Sequence, residues 1–123
     1  GRDLALVSYG NGFYLSSQAA DELRSKHSLD VRLIDLNWLS PLPISNLLKA
    51  LADVKNILIV DECRTSGNIA EGLIAKLYRE LKSPIMVLSA EDSFIATGPA
   101  YAATMPSKRS IVKMALQLMD GLT

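Results

Sequence analysis

The densest chemistry in the sequence is the run Asp61-Glu62-Cys63-Arg64. Two adjacent carboxylates beside a guanidinium could bind a cation or move a proton. The thiol could serve as a nucleophile if a base activated it. The one histidine, His27, falls at the far end of the first predicted helix and is badly placed to be that base. The same residues have a plainer use. A carboxylate bonded to loop amides would hold the turn before Gly67, with Cys63 as a small buried thiol.

Three further places could carry chemistry. Gly10-Asn11-Gly12 begins like a dinucleotide fingerprint, and Asp35 falls where such a fold would hold a ribose. The third glycine of the fingerprint is replaced by Leu15, so the glycines could equally serve a tight turn and close helix packing. Glu91-Asp92-Ser93-Phe94 could form a metal or partner site, although Asp and Ser after a strand commonly start a turn. The last helix follows Met105-Pro106. It carries Met114 and Met119 on its apolar stripe, and Lys108, Arg109 and Lys113 among its polar residues. The stripe reads as packing on a sheet or as a subunit contact, and the cations as a solvated face rather than a phosphate site. No phosphate-binding Gly-Lys-Ser/Thr loop, nucleophile elbow or His-paired serine is present.

The elements that must position these residues alternate regularly. Leu4–Tyr9 reads as a buried strand, and Gly10-Asn11-Gly12 as a turn. Leu15, Ala19 and Leu23 predict a helix over 13–26 with one apolar face. Val31–Leu36 is a second strand. Pro41 and Pro43 exclude a helix through Ser40 and Leu42, so the next helix starts near Ile44 and ends near Asp53. Ile57-Leu58-Ile59-Val60, within a strand over 56–61, is an uninterrupted apolar run of the kind found in a central parallel strand. Ser66-Gly67-Asn68 turns the chain into a helix over 69–81, striped by Ile69, Leu73, Leu77 and Leu81. Ile85–Ser89 is the fourth strand. A last helix over 107–120 follows, with Ser107 as N-cap and Ile111, Met114, Ala115, Leu118 and Leu122 as its stripe. Strand and helix alternating four times predict a three-layer α/β/α domain around a doubly wound, mainly parallel sheet. Ligands in such sheets bind beyond the carboxyl ends of the strands, where the glycines and the Asp61 run fall.

Composition narrows the field. The 123 residues carry 13 Lys+Arg against 13 Asp+Glu, which argues against a nucleic-acid binder. A 49% hydrophobic content argues against disorder and fits one domain over residues 1–123. One cysteine forms no internal disulfide, and Cys63 with His27 cannot complete a structural zinc site. No apolar run approaches the roughly 20 residues that span a bilayer. The chain opens at Gly1-Arg2-Asp3 without an initiator Met, which reads as a piece of a longer protein or a processed one.

The order of these motifs resembles the transketolase C-terminal domain. The opening Asp3–Gly10 is similar to the start of that domain, and Ala19-Ala20-Asp21-Glu22-Leu23 to its first helix. Val31–Leu36 followed by Ser40-Pro41-Leu42-Pro43 resembles its second strand and proline stretch. Val60-Asp61-Glu62 with Ser66-Gly67-Asn68-Ile69-Ala70-Glu71 resembles its strand, turn and helix around a Gly-Gly-x-x-x-Glu pattern. Asn68 replaces the second glycine, and Asn also tolerates left-handed backbone. Within the superfamily, Ser89–Ile95 and Met105-Pro106-Ser107 look most like the beta chain, or the beta half of a fused chain, of thiamine-dependent 2-oxo acid dehydrogenases of the pyruvate and branched-chain type. Transketolase and deoxyxylulose-phosphate synthase are the nearer rivals. A small nucleotide- or flavin-binding module using Gly10, Gly12 and Asp35 is the alternative of another class.

The resemblance implies a division of labour. Thiamine diphosphate and Mg²⁺ would sit between other domains of the parent enzyme. This domain would complete a dimer or heterotetramer and help dock the lipoyl acyltransferase, in the bacterial cytoplasm or the mitochondrial matrix. It implies no catalytic, cofactor-binding or metal-binding residue here, and leaves Glu62, Gly67 and Glu71 as structural or interface candidates. The family usually has a short antiparallel edge strand before the stretch where this chain opens. The expected sheet is therefore four parallel strands in the order 2-1-3-4.

Overall fold

A computed structural model describes residues 1–37, 43–64, 69–90 and 105–121. The strands are β1 (Leu4–Ser8), β2 (Val31–Asp35), β3 (Ile57–Arg64) and β4 (Ile85–Ala90). The helices are α1 (Gly10–His27), α2 (Ile44–Leu51), α3 (Ile69–Glu80) and α4 (Lys108–Met119). All four strands are parallel, in the order β2-β1-β3-β4. This is the expected order.

Side chains alternate across a strand, so a doubly covered sheet needs apolar residues at every position of its central strands. In β1, Leu4 and Leu6 enter one core, and Ala5 and Val7 the other. In β3, Leu58 and Val60 join the first, and Ile57 and Ile59 the second. The first core is closed by Ala19, Ala20 and Leu23 of α1 and by Ile111, Ala115 and Leu118 of α4. The second is closed by Leu47 and Leu51 of α2 and by Leu73 and Leu77 of α3. The uninterrupted apolar run of β3 is thus the signature of two cores, one on each face.

Two boundaries differ from expectation in a way that matters to the strand ends. There is no turn over Gly10-Asn11-Gly12, because α1 begins at Gly10, directly after an extended Tyr9. Gly10 holds φ at +55°, a value glycine reaches without a Cβ penalty, and the Phe13 N–H bonds the Tyr9 carbonyl at 3.2 Å. The strand therefore passes into the helix with no loop. The second difference is β3, which continues to Arg64 with a shift in its register against β4 between Asp61 and Arg64. At α4 the expected N-cap is present. The Ser107 hydroxyl accepts from the Ser110 N–H, and the Ser110 hydroxyl accepts from the Ser107 N–H, a reciprocal capping box.

Candidate functional site

Beyond the last apolar residues of β1 and β3, the alternation continues into polar side chains. Val7 and Ile59 are the last paired residues of these two strands. Past them, Ser8 donates its hydroxyl to the Val60 carbonyl at 2.8 Å. This ties the strand ends where backbone pairing stops. Tyr9 and Asp61 lie on the α2/α3 side. The Tyr9 hydroxyl donates to Asp61 Oδ1 at 2.6 Å, and the Ala70 N–H donates to Asp61 Oδ2 at 3.1 Å. Asp61 is 1% exposed. Ala70 is in the first turn of α3, whose N–H groups have no partner within the helix. Asp61 therefore caps α3 from another element.

Glu62 points the other way. On the α1 side, its Oε1 lies 3.5 Å from where a Cβ on Gly12 would stand and 3.9 Å from that of Gly10. The first turn of α1 contains no acidic residue and its N-cap makes no side-chain bond. A carboxylate supplied by β3 thus lies where the helix dipole favours negative charge. Among the described residues, Glu62 Oε1 is buried without a hydrogen-bond partner, as is Ser16 Oγ one turn along α1 from Gly12. A Cβ on Gly12 would come within 2.6 Å of Ser8 Oγ, which explains glycine there.

This geometry bears on the first two residues of the Asp61 run. Asp61 and Glu62 are neighbours in sequence but engage opposite faces of the sheet, so they do not form a carboxylate pair. Asp61 is bonded to a helix amide at the start of α3, where loop amides before Gly67 were expected. The side chains of Cys63 and Arg64 lie outside the described residues, as do Gly67, Asn68 and Glu91–Phe94. Glu71 is an exposed acid in the first turn of α3, favourable to that helix dipole. His27 is exposed at the carboxyl end of α1.

The nucleotide pattern does not assemble as a phosphate cradle. Gly12 is buried inside a helical turn, against Ser8 and an acidic side chain, not in an open glycine loop. Asp35 is exposed and lines a separate groove of about 290 Å³ between β2 and α2, with Leu36, Pro43 and Leu47. Among the described residues no group of three His, Cys, Asp or Glu side chains could hold a metal ion. No described helix is long and apolar enough to cross a membrane.

Elsewhere, charged groups join elements at the amino ends of the strands. Arg32 donates to Asp53 at 2.7 Å, and Lys55 to Asp3 at 2.9 Å. The bond from Arg32 holds the Asp53 carboxyl below its ordinary range, and the bond from Lys55 does the same for Asp3. Lowered carboxylates add stability above their unfolded pKa, and lose it as the pH falls through the lowered values. These are exposed pairs and their contribution is small.

The profile of the family described as "Transketolase, C-terminal domain" matches residues 1–111. The chain belongs to the transketolase C-terminal domain family. Its relatives include the "Pyruvate dehydrogenase E1 component subunit beta" of Bacillus subtilis (strain 168), 24% identical over 98% of this chain and 38% of that protein. The subunit of the same name from Staphylococcus epidermidis is 28% identical over the same shares. The chain thus spans 38% of the length of the curated relatives it matches. Among solved structures, a "Split gene transketolase, inactive beta4 tetramer" superposes with a TM-score of 0.83 at 18% identity, over 98% of this chain and 39% of that one. A 2-oxoglutarate:ferredoxin oxidoreductase from Magnetococcus marinus gives 0.67 at 14% identity, over 96% of this chain and 18% of that one. At such identities the superpositions establish the fold.

For this transketolase C-terminal domain, sequence reasoning had Glu62 as a candidate but missed Ser8, Tyr9 and Ser16. The signal for Ser8 and Tyr9 was available. Continuing the period of two past Val7 places Ser8 with Leu6 and Tyr9 with Val7.

Proposed function

We propose that the chain is the C-terminal, assembly-supporting domain of a thiamine-diphosphate-dependent 2-oxo acid dehydrogenase. The parent would be the decarboxylating first component, which passes an acyl group to a lipoyl acyltransferase. The observation that carries this reading is the match to pyruvate dehydrogenase E1 beta subunits over 98% of this chain but only 38% of theirs. The arrangement at the strand ends supports it, because Asp61 caps α3 there and Ser8 ties the ends of β1 and β3. On this reading no residue here is catalytic. Thiamine diphosphate and Mg²⁺ are held by other domains of the parent, in the cytoplasm of a bacterium or the matrix of a mitochondrion. Glu62, Gly67 and Glu71 remain this domain's structural or interface candidates.

The test uses the whole subunit containing this chain, coexpressed with its partner subunits, with and without residues 1–123. The readouts are assembled mass and acceptor reduction driven by pyruvate or branched 2-oxo acids. Deletion should abolish the native assembly and lower turnover, and the 123-residue chain alone should show none. Intact assembly after deletion, or turnover by the chain alone, would overturn the reading.

A further inference from the structure

Helix α4 carries two stripes. Ile111, Ala115 and Leu118 face the core. Arg109, Val112, Lys113 and Leu116 recur at i, i+3, i+4 and i+7, so they share a second face. This face lines a shallow groove of about 470 Å³, with Glu22 of α1 on its other wall. Along α1 it adjoins a second hollow of about 440 Å³, where Gln18, Asp21 and Lys26 lie.

The charges in this groove are uneven. Glu22 is ion-paired to Lys108 at 2.7 Å and to Lys26 at 3.5 Å, and Asp21 to Arg24 at 3.3 Å. Arg109 and Lys113 are exposed and make no ion pair among the described residues. The chain as a whole is balanced at 13 cations and 13 anions, so this is a local surplus. Leu116, half-buried against the core, and the 8% of the core residue Val112 that remains exposed give the cationic rim a small apolar floor.

We propose that the groove between α1 and α4 docks an acidic amphipathic segment of a partner protein. Its carboxylates would meet Arg109 and Lys113, and its apolar side chains would cover Leu116 and the edge of Val112. Charge complementarity selects the acidic partner, and the apolar floor selects a peptide over a nucleic acid. A uniformly charged phosphate backbone would also run against Asp21 and Glu22. The proposal stands apart from the dehydrogenase reading, since it uses only α1 and α4.

The probe is a fluorescent helical peptide with Glu at i and i+4 and Leu at i+3 and i+7, titrated by anisotropy into the full chain. Controls are the same peptide with Gln for Glu, and a single-stranded DNA of equal charge. The Glu peptide should bind saturably and more weakly as salt rises. The double variant R109E/K113E should weaken it by about tenfold or more, while K76E, on exposed α3 surface, should leave it unchanged. Circular dichroism melts confirm that both variants fold. No saturable binding would overturn the proposal. So would equal binding of the Gln peptide or the DNA, or equal effects of R109E/K113E and K76E.

Discussion

Asp61 and Glu62 are consecutive carboxylates on one strand, yet they live in different environments. Asp61 is 1% exposed, with both oxygens engaged by groups of β1's end and α3. Glu62 lies beside the first turn of α1, with one oxygen buried and unbonded among the described residues. Asp61 acts through short-range bonds at full desolvation, and Glu62 through a field. Adjacency in sequence therefore says little about shared chemistry when the residues are on a strand.

The largest expected break of this contrast is Asp61→Ala. It strands the Ala70 N–H and removes the acceptor of the Tyr9 hydroxyl in a buried place. Stability in urea should fall by about 3 kcal/mol, and the Ala70 amide should exchange faster. Next is Gly12→Ala, whose new Cβ meets Ser8 Oγ. It should cost about 1–3 kcal/mol. The same change made in Ser8→Ala should cost less, because the clashing atom is gone, and a double-mutant cycle reads that coupling. Smaller again is Glu62→Gln, which keeps shape and removes charge. The loss should be about 0.3–1 kcal/mol and should shrink as salt is raised. At the bottom lies Ser16→Ala. Removing a buried hydroxyl that has no partner among the described residues should change the urea midpoint little, or raise it. If Glu62→Gln proved as costly as Asp61→Ala, the contrast would collapse.

Much of the fold was legible because the physics was local. The unbroken Ile57–Val60 run implies burial on both faces, and alternating strands and helices imply a parallel sheet, while the order 2-1-3-4 followed from the family resemblance. Ser107 was legible as a cap because capping uses residues close in sequence. The start of α1 was not. Two glycines read as a turn by composition, whereas their function depends on Ser8 and Glu62 approaching from two strands. The capping of α3 by Asp61 spans nine residues, and the bond from Tyr9 to Asp61 spans 52. Such pairings become visible only when the strand register is known.

On the proposed reading, this domain supports a cofactor-dependent enzyme without binding the cofactor itself. Calorimetric titration of the full chain with thiamine diphosphate and Mg²⁺ tests this most directly. No saturable heat is expected, with wild-type and Glu62→Gln chains alike. A saturable isotherm lost in Glu62→Gln, with the variant still folded, would contradict it.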